Sequence, residues 1–199
     1  KVFDHNFDDC VIKNWNNFTI NTSESSHELT NKQFPYQSID SGKFYNKINS
    51  RLSKNSNISF FKNLNDINSE NSIIFNSVME KELDKSELWQ HFQGIEIETP
   101  KKTFDDKIIN LMDFNCDQRN YVHFFYTLPF SKNKALVETT WISDLGDESL
   151  RDYDLQLKNY IENKLGIKNY KINFTEKGAI PLFSPSLRNN NKIIDIGSA

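Results

Sequence analysis

Glycine is scarce in this chain: six among 199 residues, and none of them clustered. A loop that wraps a dinucleotide pyrophosphate needs Gly-x-Gly-x-x-Gly, because the backbone must approach the phosphates and the next helix must pack tightly on its strand. That motif is absent, so this stretch is not expected to hold such a cofactor alone. Cysteine is sparser still. Cys10 and Cys116 lie far apart, which excludes a disulfide framework and zinc spacing and fits a reducing compartment. His5, His27, His91 and His123 show no metal-ligand spacing. Basic charge is not in excess. The net charge is −3 with no basic stripe, so nucleic acid is not an expected partner. No apolar run reaches the length of a membrane span, and no signal peptide opens the chain.

Apolar and aromatic residues are well represented. The chain is 37% hydrophobic and 26% charged, a balance that folds and buries a core. Its 16 Phe and 7 Tyr either pack that core or line a pocket for a long apolar ligand. The chain starts at Lys1-Val2-Phe3 without a Met and stops at Gly197-Ser198-Ala199 straight after a strand-like run. It therefore reads as an internal piece of a longer protein.

The most informative stretch is 121–145. Two runs rich in β-branched and aromatic residues flank Ser131-Lys132-Asn133-Lys134, which is a hairpin signal. In the second run, 135–143, strand alternation puts Leu136, Glu138, Thr140 and Ile142 on one face and Val137, Thr139 and Trp141 on the other. A carboxylate between Leu136 and Thr140 has two readings. On a wet face Glu138 is an ordinary surface residue, the commoner use of glutamate. On a dry face burial favours its neutral form, raises its pKa and makes it a proton donor near neutral pH. Pro129 in the first run removes a ladder donor and is expected at a bulge, a strand end or an edge.

The other elements follow from pattern. Residues 1–35 read as polar strands and loops, with strand-like stretches at 11–12 and 18–20. Residues 36–54 predict a helix capped by Asp40 or Ser41, with Phe44, Ile48 and Leu52 recurring along it. Short strands are expected at 58–61 and 73–75. Residues 80–87 are a charged linker. Strands are expected at 90–100, where Ile95 and Ile97 alternate with Glu96 and Glu98, and at 107–114. A helix over 148–165 starts at Ser149-x-x-Asp152 and ends at Gly166. A strand at 170–175, a sharp turn at Gly178-Ala179-Ile180-Pro181, a loop at 184–191 and a strand at 193–196 complete the chain. The fold class is α/β (α+β): a mixed, largely antiparallel sheet of about five strands backed by one main helix.

Read in order, the segments QHFQGIEIETP (90–100), KIINLMDF (107–114), FFYTLPF (124–130), ALVETTWISD (135–144), EKGAIPL (176–182) and IDIGSA (194–199) resemble the lycopene cyclase family of flavoproteins. The resemblance covers roughly the last two thirds of the chain and reaches Phe3-Asp4-His5 only faintly. It implies that 1–35 borders two domains. By the same likeness 36–84 and 187–199 are fragments of a Rossmann-like FAD/NAD(P)-binding domain, and 85–186 form a substrate-domain sheet plus helix. It implies a non-redox, acid–base cyclisation of a linear polyene such as lycopene, with reduced FAD as cofactor and NAD(P)H as reductant. Glu138 matches the family's essential glutamate and would be the catalytic acid. Thr139 stands where the family often has a second acid. Thr139 and Trp141 would contact substrate, and Gly197 and Ser198 would contact flavin. The implied partners are a linear carotenoid and a membrane surface, with no nucleic acid and no metal, for a protein that is cytoplasmic and peripherally membrane-associated. The alternatives are another two-domain FAD enzyme, of the aromatic-hydroxylase or prenyl-reductase type, and a non-enzymatic β-rich module for an apolar ligand.

Overall fold

A computed structural model describes residues 7–63, 66, 72–78, 85–183 and 192–197. Phe3-Asp4-His5, the first part of the charged run at 80–87, the loop 184–191 and Ser198 lie outside the described residues. The chain divides into two compact units. One comprises Lys1–Asn14, Gln37–Lys81 and Pro185–Ala199, the other Trp15–Tyr36 and Glu82–Ser184.

β1 (Val11–Trp15) pairs with β4 (Tyr36–Ile39), and α1 (Ser41–Leu52) follows; all of these residues except Trp15 and Tyr36 fall in the first unit. Asp40 caps α1 as its composition predicts: the carboxylate accepts from the Lys43 amide at 2.9 Å. The helix itself starts later than 36, because 36–39 are extended and paired with β1. Phe44 packs on Phe7, ring centroids 5.1 Å apart. No strand forms at 58–61. Phe60 and Phe61 there are 67% and 54% exposed, and an apolar run without a strand partner gains no ladder. β5 (Ile74–Asn76) does form, parallel to β11 (Ile193–Asp195). The Asn76 side-chain amide donates to Asp195 Oδ1 at 2.9 Å and ties the pair together.

The second unit is built on a seven-stranded sheet. Its strands are β2 (Asn17–Asn21), β3 (Ser26–Thr30), β6 (Trp89–Glu98), β7 (Ile108–Asp113), β8 (Val122–Ser131), β9 (Lys134–Ser143) and β10 (Lys171–Pro181), in the order β10-β6-β9-β8-β7-β2-β3. Every neighbouring pair is antiparallel except β2 with β7. The expected hairpin is β8–β9, with its turn tightened to Lys132-Asn133, and it occupies the sheet's middle. Pro129 sits at a break in the β8–β9 register, and its free carbonyl accepts from Trp15 Nε1 at 3.1 Å. That is the bulge a missing donor requires. The sheet is wider than the expected five strands, because β2 and β3 join it.

Two further expectations fail in the second unit. The segment 178–181 is no turn: β10 runs straight through it to Pro181. Gly178 is needed because the Phe92 ring lies where its side chain would go, Phe92 Cζ being 2.7 Å from an ideal Cβ. The helix over 148–165 is broken into a 3-10 turn (Glu148–Arg151), α2 (Tyr153–Asn159) and a π turn (Tyr160–Lys164). Asp152 does not cap α2 with its side chain, because Arg119 takes both carboxylate oxygens, at 3.0 and 2.9 Å. The π turn coincides with Tyr160, which is clamped at both ends. Its ring stacks on Phe125 with centroids 4.0 Å apart, and its hydroxyl donates to Asp113 Oδ2 at 2.8 Å. Gly166, at φ +69°, takes the left-handed position that closes the segment.

α2 and the π turn cover one face of the sheet. Ile95, Ile97, Phe125, Val137, Leu157, Tyr160, Ile161 and Ile167 form the core beneath them. A second cluster, Trp15, Ile109 and Leu128, lies on the other face, with Tyr126 and Leu136 packed against it.

Candidate active site

Glu138 sits in the middle of β9, paired to Gly94 on β6 and to Tyr126 on β8. Pleating sends its side chain away from α2, toward the face shared by Leu136 and Thr140 on its own strand. Phe92, Phe124 and Leu128 are its diagonal neighbours by register. The carboxylate accepts one hydrogen bond, from Thr140 Oγ1 to Glu138 Oε1 at 2.7 Å, and no ion pair reaches it among the described residues. Burial pushes the Glu138 carboxyl up to about 7; the negative charge of Glu176 adds to the rise and the Thr140 hydrogen bond opposes it. At neutral pH this group is therefore substantially protonated, unlike an ordinary surface glutamate.

The same electrostatics act on the phenols nearby. Burial pushes Tyr126 up to about 12, helped by Tyr36 and Glu138. Tyr36 is also raised, by burial and then by the Glu138 charge. Both stay neutral and can only donate or accept hydrogen bonds. Toward its edges this face is apolar and open: Val122, Phe174 and Ile180 are 44%, 56% and 45% exposed. An acid of raised pKa beside an apolar surface can protonate a neutral, water-insoluble substrate.

Thr139 and Trp141 occupy the opposite face, fully buried under α2. Thr139 Oγ1 donates to Gln156 Oε1 at 2.7 Å, and Trp141 Nε1 donates to the same oxygen at 2.9 Å. His123 stacks on Trp141 with centroids 3.8 Å apart, and its Nε2 lies 2.8 Å from Thr139 Oγ1. Burial pushes His123 down to about 4. His91, between Ser143 at 2.7 Å and Tyr153 at 2.6 Å, is held at about 4 by burial and the Arg151 charge. A cavity of about 510 Å³ opens on this side, lined among others by Arg119, His123, Trp141, Gln156 and Lys164. The alternation of one strand thus separates Thr139 and Trp141 from Glu138.

Gly197, at φ +69° just after β11, belongs to the other unit. That backbone conformation suits a loop that presents its amides closely to a ligand. The glycine-rich pyrophosphate cradle is not in this sequence, however. The residues present therefore do not fit a complete dinucleotide site. Among the described residues no group of His, Cys, Asp and Glu could hold a metal.

Sequence reasoning did not single out Gly94, Tyr126 and Glu176 as site residues. Their signal is register: β6 and β8 each pair with β9, and β10 pairs with β6, so one line across the sheet reads Glu176, Gly94, Glu138, Tyr126. A glycine inside a strand already marks a close approach.

Residues 71–199 match the family model described as lycopene cyclase protein. No curated protein matches the chain. Among solved structures, a geranylgeranyl bacteriochlorophyll reductase-like protein from Thermoplasma acidophilum superposes with a TM-score of 0.63 at 12% identity, over 94% of this chain. The chain spans 55% of that protein's length. At that identity the likeness carries the fold alone.

Proposed function

The chain belongs to the lycopene cyclase family, and on that premise we propose that the full-length protein cyclises the end group of a linear carotenoid by acid–base chemistry, with Glu138 as the acid. The observation that supports this is the state of Glu138: a carboxyl on the face away from the helix, raised to about 7 by burial, at the position the family's essential glutamate matches. Glu138 gives its proton to the terminal carbon–carbon double bond. The neighbouring double bond attacks the cation and forms the ring bond, and loss of a proton leaves a ring double bond. The surrounding Leu136, Leu128, Phe92 and Phe124 exclude water that would otherwise trap the cation. The neutral phenol of Tyr126, directly opposite Glu138 on β8, adds a π face that attracts positive charge.

FAD, kept reduced by NAD(P)H, is the cofactor we infer, and its charge would stabilise the cation. Gly197 is this chain's contribution to holding it. The substrate dissolves in lipid, so the protein would take it from a membrane surface by peripheral contact in the cytoplasm. Among the described residues no helix is long and apolar enough to cross a membrane.

The test is Glu138→Gln in the full-length protein, expressed in a lycopene-accumulating host. Glutamine keeps the shape and removes the transferable proton, so ring-bearing product should fall ~10²–10⁴-fold, the cost of a lost general acid. Glu138→Asp should also be crippled, because a displacement of about 1 Å can cost ~10²-fold. Near-wild-type product from Glu138→Gln would remove Glu138 from the chemistry. Saturated instead of cyclised chains would point to the prenyl-reductase type.

A further inference from the structure

Glu176 on β10 and Glu138 on β9 have only β6 between them, and the β6 residue in register with both is Gly94. Two strand spacings separate the backbones by about 9.6 Å, but the side chains close much of that gap. An ideal Cβ on Gly94 would lie 3.1 Å from Glu176 Oε1 and 3.2 Å from Glu176 Cγ. Glu176 is therefore folded over the glycine, toward Glu138. Leu136 Cδ1, 3.2 Å from the same point, walls the notch on the apolar side. Any side chain at 94 would fill this space, and glycine leaves it to the carboxylate.

We propose that Glu176 is the base of an acid–base pair whose acid is Glu138, the two facing each other across the Gly94 notch; the proposal rests on the cyclase reading above. Glu138 lies on a central strand and Glu176 on the edge strand, so their surroundings differ, as they must for two carboxyls to divide acid and base roles. The position after Glu138 holds Thr139, whose side chain lies under α2, so a partner must come from another strand.

The step balances without redox. Glu138 COOH gives H⁺ to the inner, less substituted carbon of the end-group double bond, which leaves the positive charge on the outer carbon. The electron pair of the neighbouring double bond forms the ring carbon–carbon bond and leaves a cation. A C–H next to the cation loses H⁺ to the Glu176 carboxylate, and its electron pair becomes the ring double bond. The proton then returns from Glu176 to Glu138, leaving the enzyme unchanged.

The groups facing Glu138 are few enough to test. They are Tyr126 from β8, Glu176 from β10 and Tyr36, with the Lys134–Glu96 ion pair, 2.9 Å long, one pleat along the same face. Among these, Glu176 is the unpaired negative charge. Carboxyl ¹³C NMR of the 199-residue chain, with Glu138→Gln identifying the Glu138 resonance, measures their coupling. Glu176→Gln should move the Glu138 titration to lower pH, because the Glu176 charge is among the causes of the rise. In the full-length protein Glu176→Gln should cut ring-bearing product ~10²–10⁴-fold and remove the acidic limb of the pH–rate profile, and Glu176→Asp should restore part of both. An unmoved Glu138 titration overturns the proposal. So does near-wild-type product from Glu176→Gln in a protein that Glu138→Gln inactivates. If Glu138→Gln itself leaves product intact, the cyclase reading fails instead, and with it this one.

Discussion

Glu138 and the polar groups under α2 sit in opposite surroundings on the two faces of the seven-stranded sheet. Under α2, Gln156 takes hydrogen bonds from Thr139 and Trp141, and His91 and His123 each have polar partners at both ring nitrogens. Polar atoms there lock the helix to the sheet. On the other face Glu138 has one hydroxyl donor, no counter-charge among the described residues and a like charge beyond a glycine. A carboxyl so placed raises the energy of its own ionised form, which is poor for stability and useful for proton donation. The same strand, β9, serves both faces, one residue out of step. The contrast therefore reflects what covers each face and not any local difference in backbone.

Substitutions of graded effect would sharpen or break this comparison. The largest effect is expected from Trp141→Ala. It empties a fully buried site and removes a donor to Gln156, so urea unfolding should show a loss of about 3–5 kcal/mol. A loss under about 1 kcal/mol would mean that the helix-side network is not the structural one.

The second is Glu138→Gln, where the sign depends on pH. The folded pKa, about 7, lies above the ordinary 4.5. The wild-type carboxyl is thus no burden below about pH 4.5 and costs stability increasingly up to about pH 7, above which the cost levels off. The variant should match wild type at pH 4 and be more stable at pH 8, by on the order of 1–3 kcal/mol. The helix face should respond in the opposite sense. His91 and His123 are held down to about 4, so their contribution is full above pH 6.5 and is lost as pH falls toward 4. His123→Gln should flatten that acidic loss. Equal stability of Glu138→Gln and wild type at pH 8 would show that the Glu138 face is wet.

Third is Gly178→Ala. Its new methyl would meet Phe92 Cζ at 2.7 Å and push the ring, at a cost of about 1 kcal/mol in Tm-derived stability. Gly94→Ala should be milder, since its contacts with the Glu176 and Leu136 side chains are 3.1–3.2 Å and not 2.7 Å, but it should also shift the Glu138 titration. Smallest is Thr140→Val. It removes the hydrogen bond that favours the ionised form, so the Glu138 titration, followed by carboxyl NMR, should move a further few tenths upward. A downward move would assign Thr140 a different role.

Much of the sheet was legible in the sequence. The strands expected at 90–100, 107–114 and 135–143 appear, within two residues at each end, as β6, β7 and β9, because period-two patterning is enforced wherever one face is buried. The failures have local causes. Residues 58–61 look like a strand but have no strand partner among the described residues. Gly178 and Pro181 look like a turn, but the glycine accommodates Phe92 within a strand. The 148–165 stripe is correct as a buried face, yet Arg119 and Phe125, remote in sequence, break its helix at Asp152 and widen it at Tyr160.

For Glu138 the division is equally physical. The sequence alone determined which neighbours share its face, since the alternation of a strand admits only Leu136, Thr140 and Ile142 beside it and sends Thr139 and Trp141 to the other side. It also located Glu138 within a family pattern. Which face the helix would cover was decided only in three dimensions, and that choice set the carboxyl's environment. Glu176, 38 residues along the chain from Glu138, came beside it only through the pairing of β10 with β6 and β6 with β9. A side chain's desolvation and its like-charged neighbour depend on contacts between distant segments, and no window of sequence contains both.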